Sequence, residues 1–364
     1  MKELKHLELF AGIGGFRRGI DLFCADNGIK STCIGFSEID KYATVSYKAN
    51  YDTANEVEMG DVEAFTETIE QIKTLPDFDL LTGGFPCQAF SMMGKQLGFE
   101  DLRGNLFYSI IRILEIKKPK YVLLENVRNL KNHDEKRTYK EIVRSLKEEA
   151  GYEVISDVFN TSDFGLPQHR RRIYIFAIRE DLVDETIDIS KFTRDNVFDD
   201  FSSSEHQSLN YYNNVLDGVL EKKVDKKYYL SERIKPTILA NGSKNFRSKS
   251  EINQMIARPL TATMVKMHRA CQDNYYSDLF LKSKNPIKYL EKEIPKEVEV
   301  THSIRKLTPL EALRLQGFDA TFLKKAQNAT VSNHQMYKQA GNAVSVNVVY
   351  ALIHYISHHI IKEF

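Results

Sequence analysis

The chain has 364 residues, 42% of them hydrophobic and 28% charged, and its formal net charge is +1. This composition is typical of a soluble globular protein with one large and one smaller domain, and it excludes a polycation that binds nucleic acid with its whole surface. No signal segment, no apolar run as long as a membrane span and no C-x-x-C pair is found. We therefore expect a cytoplasmic protein with no membrane attachment, no metal site and no disulfide framework.

The first predicted strand, residues 4–10, runs into a glycine loop, Ala11 to Arg17, and then into an amphipathic helix. Strand, glycine turn and helix begin a nucleotide-binding α/β unit. Arg17 replaces the third glycine of the dinucleotide fingerprint, and a plain tight turn would also explain the loop. Two more strands, 32–37 and 55–58, lead to Glu38 and Asp61. These carboxylates suit the hydroxyls of a ribose and the amine of an adenine, although each could instead cap a helix.

The fourth predicted strand, residues 78–82, leads to Gly83-Gly84-Phe85-Pro86-Cys87. We expect the two glycines to turn the chain sharply where the strand ends, and Pro86 to fix the direction in which Cys87 is presented. A cysteine placed in this way suits chemistry, although a buried structural cysteine is the alternative. Residues 88–104 show no clear period and are numerous enough to form a lid.

The fifth predicted strand, residues 120–124, ends at Glu125, which is either a reactive group or the partner of a nearby arginine. No helix is predicted between the sixth strand, which ends near residue 159, and the seventh, residues 173–178, so we expect an antiparallel pair. Alternation would place Arg170 and Arg172 on one side of the chain and Arg171 on the other.

The composition becomes polar near residue 181, which predicts a second domain over residues 181–331. Residues 1–180 and 332–364 would form the main domain, a Rossmann-like α/β sheet that is mostly parallel with its last strand antiparallel. The second domain would be mainly irregular and β. Between residues 221 and 270, twelve Lys and Arg residues accompany four Asp and Glu. This basic patch fits nucleic-acid binding, and a basic loop region without a partner is the alternative.

Near the C-terminus, Thr308 and Glu311 have capping-box spacing, and Gly317 would end that helix. The last apolar helix, which ends near residue 361, is expected to pack back on the main domain.

Five candidate groups share one position in the predicted fold: each falls at the carboxyl end of a strand. They are Gly12, Glu38, Asp61, Cys87 and Glu125. In an open α/β sheet this is the edge where ligands bind. One side would hold a ligand with a ribose and an adenine, and the other side would hold a thiol with a carboxylate.

The most specific motifs are Gly84-Phe85-Pro86-Cys87-Gln88-Ala89-Phe90-Ser91 and Glu125-Asn126-Val127. Further motifs occur, in chain order, at Phe10 to Gly15, Arg103 to Phe107, Gln168 to Arg172, Arg305 to Phe318 and Gln335 to Asn347. With these motifs the chain resembles the DNA (cytosine-5)-methyltransferases of the bacterial restriction-modification type. The resemblance covers nearly the whole chain and is weakest in the variable target-recognition region, from Ile187 to Thr301.

The resemblance implies methyl transfer from S-adenosyl-L-methionine to C5 of a cytosine flipped out of duplex DNA, with S-adenosyl-L-homocysteine as product. Four catalytic residues are implied: Cys87 would attack C6, Glu125 would hold N3 and the exocyclic amine, Arg172 would hold O2, and Arg170 would steady the site. The implied cofactor-binding residues are Phe10, Gly12, Ile13, Gly14, Gly15, Glu38, Ile39, Asp61, Val62, Pro86, Leu106, Asn342, Ala343 and Val344. The DNA-binding candidates are Ser91, Lys95, Arg103, Arg258, Thr261, Thr263 and Lys266.

Three alternatives remain beside this interpretation. A tRNA cytosine-5 methyltransferase on the same fold would carry a Cys-Phe-Thr element after the recognition region, and none is found here. A nucleotide-dependent oxidoreductase would leave Cys87, Glu125 and the arginines unexplained. A catalytically inactive DNA-binding regulator would not need every catalytic residue type. We expect a monomer that acts on double-stranded DNA in the cytoplasm of a prokaryote, at the nucleoid, and a separately encoded restriction endonuclease could accompany it.

Overall fold

The computed structural model describes residues 2–86, 106–240, 242–243, 246–247, 249–266, 270–292 and 294–363. Four predicted site residues, Cys87, Ser91, Lys95 and Arg103, lie outside the described residues. The chain forms two compact units. The first unit contains residues 1–164, 171–209 and 344–364, and the second unit contains residues 165–170 and 210–343.

The first unit is built on a mixed sheet of seven strands, in the order β3-β2-β1-β4-β5-β7-β6. Every strand is parallel to the others except β7, which is antiparallel to both β5 and β6. The predicted fold class and the antiparallel pairing of the last two strands are therefore confirmed. The strands are β1 Glu3–Leu9, β2 Lys30–Phe36, β3 Val57–Glu58, β4 Leu80–Gly84, β5 Tyr121–Val127, β6 Tyr152–Asn160 and β7 Arg171–Arg179.

The helices of the described residues are numbered in chain order. They are α1 Gly15–Asp26, α2 Lys41–Asn50, α3 Val62–Phe65, α4 Ile69–Lys73, α5 Leu106–Lys117, α6 Arg137–Arg144, α7 Arg194–Ser203, α8 Lys235–Leu239, α9 Asp278–Leu281, α10 Pro286–Glu291, α11 Lys296–Glu299, α12 Pro309–Arg314, α13 Ala320–Asn328, α14 Asn333–Asn342 and α15 Val346–Tyr355. Short 3-10 or π turns occupy Arg128–Lys136, Ser145–Glu149, Thr161–Phe164, Glu180–Leu182, Ile189–Lys191, Lys226–Tyr228 and Ile356–Ile361.

The central strands are apolar without alternation because helices cover both faces of the sheet. On one face, Phe16, Ile20 and Phe23 of α1 belong to the same buried cluster as most of α15. On the other face, residues of α5 such as Phe107 and Ile110 pack on the sheet. The C-terminal apolar helix thus packs on the main sheet, as the sequence predicts.

In its described residues the second unit contains helices α8 to α14 and only four short strands, so it is more helical than the sequence predicts. Its strands form two short antiparallel pairs, β8 Gly242–Ser243 with β9 Phe246–Arg247, and β10 Tyr275–Ser277 with β11 Ile304–Lys306. Arg305 and Glu311 form a fully buried ion pair with two contacts of 2.8 Å. The capping box at Thr308 is present, and Gly317, with φ of +93°, follows α12, as expected.

The bounds of the compact units differ from the predicted domains at residues 165–170, 181–209 and 332–343. Helix α7 belongs to the first unit, since Val197 and Phe201 are buried in the cluster on the α15 face of the sheet. Helix α14 belongs to the second unit, where the Tyr337 hydroxyl donates to the carbonyl of Leu307 and Gln316 donates to the carbonyl of Ala340. A change in composition marks neither bound, because buried apolar residues are found on both sides of each.

The turn predicted at Gly83 and Gly84 is wrong, because both glycines lie inside β4 and neither has a positive φ. A Cβ at Gly83 would lie 3.2 Å from the carbonyl oxygen of Leu9, which is closer than most Cβ contacts, so Gly83 permits the close approach of β1. A Cβ at Gly84 would make ordinary contact, at 3.5 Å, with Oε2 of Glu125.

Among the described residues, one helical run, Asn333–Ile361, has the length and composition of a membrane span. Its apolar window is mostly buried inside the structure. The core helix of a globular protein has the same properties, so this run is weak evidence for a membrane span.

Candidate active site

The carboxyl edge of the sheet carries a fixed ion pair between β5 and β7. Glu125 lies opposite Gly84 in the register of β5 and β4, and it is 8% exposed. Its Oε1 lies 3.0 Å from Nε of Arg172, whose Nη1 also donates to the carbonyl of Arg171 at 2.9 Å. Oε2 faces the space left by Gly84. The sequence left open whether Glu125 is reactive or paired with an arginine, and the structure shows that it is paired.

Asn126 connects the end of β5 to the residues that precede Cys87. Its side chain is 2% exposed, and Nδ2 donates to the carbonyl of Phe85 at 2.8 Å. Its Oδ1 accepts from the backbone N–H of Val127, also at 2.8 Å. Sequence reasoning assigned no role to Asn126 beyond its place in a motif. Its position directly after Glu125 was the available signal.

Arg170 does not share the position of Arg172, and the predicted alternation is wrong because β7 begins only at Arg171. Arg170 is 3% exposed within the second unit. Its guanidinium donates to three backbone carbonyls there, those of Leu260, Gly341 and Ala343, at 3.1, 3.2 and 2.9 Å. These bonds join the 260–261 loop to the end of α14.

The glycine loop between β1 and α1 is bonded to the loop that follows β2. The backbone N–H of Phe10 donates to Ser37 Oγ, and that of Gly12 donates to Oε2 of Glu38 at 2.8 Å. Oε1 of Glu38 accepts from the N–H of Asp40 at 2.7 Å. Because each carboxylate oxygen has a second lone pair, Glu38 can still accept from two hydroxyl groups.

Two glycines of this loop have backbone conformations that suit glycine, and the third is needed for packing. Gly12 and Gly14 have φ of +56° and +80°. A Cβ at Gly12 would meet nothing within 4 Å, which leaves open space beside the loop. A Cβ at Gly15 would lie 2.5 Å from the carbonyl oxygen of Val344, so Gly15 allows α1 to approach that segment.

The other predicted cofactor residues differ in how far their side chains are exposed to solvent. Ile39 is 77% exposed, and Pro86, Asp61 and Asn342 are also exposed. Asp61 caps α3 through the N–H of Glu63. The side chains of Ile13, Val62 and Ala343 are buried, so any ligand contact would use their backbone; Phe10, Leu106 and Val344 are partly buried. Asn342 and Ala343 belong to the second unit, and the remaining members belong to the first.

Among the DNA-binding candidates in the described part of the second unit, Arg258 is already engaged. Its Nη2 lies 3.1 Å from Oε2 of Glu251, and its backbone exchanges hydrogen bonds with the side chain of Asn274. Thr263 and Lys266 are exposed, and Thr261 is partly exposed. A Cβ at Gly341 would lie 2.2 Å from the backbone of Thr261, so this loop is held against α14.

Sequence reasoning also missed a buried polar cluster beneath the glycine loop. Glu8, near the end of β1, is fully buried. Burial raises the pKa of its carboxyl group to about 8, and the nearby positive charge of Arg17 opposes this rise. The available signal was a glutamate inside the otherwise apolar run of residues 7–10, together with Arg17 in the place of a glycine.

Comparison with known proteins identifies the family of this chain. A model of the C-5 cytosine-specific DNA methylases matches residues 4–358. The type II methyltransferase M1.ScrFI of Lactococcus lactis subsp. cremoris is 37% identical over 96% of this chain and 76% of its own length. The type II methyltransferase M.HaeII of Haemophilus aegyptius is 35% identical over 97% of this chain and 92% of its own.

A solved structure supports the fold alone. The Entamoeba histolytica methyltransferase EhMeth superposes with a TM-score of 0.71 at 22% sequence identity, over 98% of this chain and 99% of that one. The extent of the family match and the identity to the two relatives decide the assignment. The chain belongs to the C-5 cytosine-specific DNA methylases and is a DNA (cytosine-5)-methyltransferase.

Proposed function

We propose that the protein transfers a methyl group from S-adenosyl-L-methionine to C5 of a cytosine flipped out of a specific duplex DNA site, through a covalent bond between Cys87 and C6. The observation that carries this proposal is the Glu125–Arg172 pair, joined at 3.0 Å on the carboxyl edge of the sheet. It lies beside the strand that leads to Pro86, and Cys87 follows Pro86 in the sequence.

The residues around the glycine loop fit such a methyl donor. The open space at Gly12 admits a ligand against the backbone, and Glu38 keeps one lone pair on each oxygen for the two ribose hydroxyls. The exposed side chain of Ile39 provides an apolar surface next to Glu38 on which an adenine could rest, and Asp61 offers a carboxylate oxygen to its amine. When bound, the donor supplies an electrophilic methyl group.

Because C5 of cytosine is a weak nucleophile, the enzyme must first activate the ring, and this need gives Cys87, Glu125 and Arg172 their proposed roles. The Cys87 thiolate attacks C6 and forms a carbon–sulfur bond. Glu125 holds N3 and the exocyclic amine, and its carboxylate favours protonation at N3 as negative charge builds on the ring. Arg172 donates to O2 and keeps Glu125 in place. After the methyl group is on C5, a base removes the C5 proton, and the returning electron pair expels Cys87. Arg170 has a positioning role rather than a contact with the base, since its Nη1 and Nη2 already donate to three backbone carbonyls.

We assign catalysis and donor binding to the first unit and selection of the DNA site to the second. Two observations support this division: the Glu125–Arg172 pair lies in the first unit, and the exposed Thr263 and Lys266 lie in the second. The proposed partner is double-stranded DNA, with the protein acting as a monomer in the prokaryotic cytoplasm. The relatives are named type II methyltransferases, which supports a separately encoded cognate endonuclease.

The decisive experiment traps the covalent intermediate. The protein is incubated with S-adenosyl-L-methionine and duplexes that carry 5-fluorocytosine, because fluorine at C5 cannot leave as a proton does and the adduct persists. We expect a protein–DNA adduct that survives denaturation and that is absent in Cys87→Ala. Cys271→Ala, which removes a cysteine of the second unit, is the matched control and should retain the adduct.

Two results would contradict the proposal. An adduct on fluorinated tRNA and on no duplex would favour the tRNA methyltransferase. The absence of an adduct on both, over a library of duplex sequences, would refute the covalent mechanism. Sequencing of methylated cytosines in a host genome would then identify the DNA site, which the residues alone do not specify.

A further inference from the structure

Arg17, in the first turn of α1, forms the centre of a buried group of polar side chains in the first unit. Its Nη1 makes an ion pair with Glu56 and lies 3.3 Å from the hydroxyl of Tyr47, and its side chain is 11% exposed. The guanidinium carbon lies 4.7 Å from the ring centroid of Tyr51, a cation–π distance. We call Glu8, Arg17, Tyr47, Tyr51 and Glu56 the Arg17 cluster.

Tyr51 connects the cluster to the glycine loop. Its hydroxyl donates to the carbonyl of Gly14 at 2.9 Å, and its ring occupies the space that a side chain at Gly14 would fill, with a Cβ only 2.5 Å from the ring. Gly14 has φ of +80°. The guanidinium of Arg17 lies against this ring, so Arg17 holds Tyr51 where it contacts the loop.

Glu8 connects the cluster to the start of α1. Its carboxyl group accepts from the backbone N–H of Arg17 at 3.3 Å and from the Tyr47 hydroxyl at 3.1 Å. The N-cap residue, Gly14, makes no side-chain capping bond. Glu8 therefore satisfies a first-turn N–H that would otherwise lack a protein acceptor, and it does so from β1, beneath the loop.

The opposite side of the same loop carries the groups proposed to face the donor. The N–H groups of Ala11 and Gly12 bond the residues after β2, at Ser37 and Glu38. The loop is thus held from below by the Arg17 cluster and from the side by Glu38. A planar guanidinium can pair with a carboxylate and stack on an aromatic ring at once, whereas a lysine ammonium cannot make both contacts in the same way.

We propose that Arg17 is a positioning residue for the methyl donor: through Tyr51 and Glu8 it holds the glycine loop in the conformation that binds the donor. This inference rests on the proposed function, because it concerns the same donor site. It also gives a role to the residue that departs from the dinucleotide fingerprint, since the arginine stands where a third glycine would be.

The test measures binding of S-adenosyl-L-homocysteine by titration calorimetry, together with kcat and KM for S-adenosyl-L-methionine and for DNA. Arg17→Met should raise the dissociation constant and the donor KM about tenfold, and Arg17→Lys and Tyr51→Phe about threefold each. The value of kcat at saturating donor and the KM for DNA should stay within about twofold. Arg144→Met removes an arginine at the end of α6 that is paired with Glu141, Glu148 and Glu149; it is the control and should leave donor affinity unchanged.

The outcomes separate this role from a general loss of stability. A variant that is only less stable would show fewer binding sites per protein with the same dissociation constant. Folded Arg17→Met and Tyr51→Phe with wild-type donor affinity would overturn the role of Arg17. If Arg17→Met does not fold, Arg17→Lys and Tyr51→Phe decide in the same way. Failure of the wild type to bind S-adenosyl-L-homocysteine would overturn the proposed donor site itself. Normal binding by the wild type and by both variants would instead overturn only the role of Arg17.

Discussion

Asn126→Ala tests whether the end of β5 controls the segment that leads to Cys87. The substitution removes a 2.8 Å hydrogen bond from Nδ2 to the buried carbonyl of Phe85. A buried acceptor left without a partner costs about 1–3 kcal/mol, so we expect the free energy of unfolding to fall by that amount. Because a displacement of about 1 Å at a reacting group can cost about a hundredfold in rate, kcat should fall 10- to 100-fold.

The assay compares urea unfolding, kcat and donor affinity for Asn126→Ala, Asn126→Asp and a matched control. Asn27→Ala is the control, because its Nδ2 donates to the carbonyl of Phe23 at 2.9 Å in an exposed position of the same unit. Asn126→Asp keeps the size but replaces the donor by a carboxylate oxygen against the Phe85 carbonyl, so it should destabilise the protein at least as much as Asn126→Ala. Donor affinity should stay within about twofold in all three. A kcat for Asn126→Ala equal to that of the control would refute the reasoning.

Three further predictions concern other fixed groups. Arg172→Ala should lower kcat about a hundredfold while S-adenosyl-L-homocysteine binding is retained, because Glu125 loses its cation; equal losses of binding and rate would contradict this. Gly341→Ala should destabilise the protein by about 1–3 kcal/mol in urea and weaken DNA binding, since its Cβ would meet the backbone of Thr261; unchanged unfolding would argue against the close approach. The folded-state pKa of Glu8 is raised above its ordinary value to about 8, so folding favours the protonated form. The contribution of Glu8 to stability should therefore fall between about pH 4.5 and pH 8, by at most about 1.4 kcal/mol per pH unit. The difference in the free energy of unfolding between the wild type and Glu8→Gln should change with pH over this range, and a constant difference would disprove the prediction.

Much of the fold could be predicted from local patterns. Short apolar runs separated by glycine or polar loops indicated the parallel strands, and the missing helix between β6 and β7 indicated their antiparallel pairing. The capping box at Thr308 was equally local, since it depends on a spacing of three residues. The bounds of the compact units were not predictable in this way. They depend on which core buries Val197 or Met336, and the same residue types would suit either.

At the candidate active site, too, some features could be predicted from the sequence and others required the structure. The position of Glu125 at a strand end followed from the chain order, but its pairing with Arg172 required the register of β5 against β7. Arg170 and Arg172 look equivalent in the sequence. The structure separates them because β7 begins between them, which leaves one guanidinium on backbone carbonyls and the other on a carboxylate.

Chain order and periodicity alone were enough to predict the class of the sheet and the resemblance that the family match then bore out. These features depend on chain order and on periodicity, which a single sequence contains. Only the folded chain shows that Gly83 and Gly84 lie within a strand, that Asn126 bonds to Phe85, and that Arg17 contacts both Glu8 and Tyr51. Each of these depends on which atoms meet across long stretches of chain, and local sequence patterns do not specify such contacts.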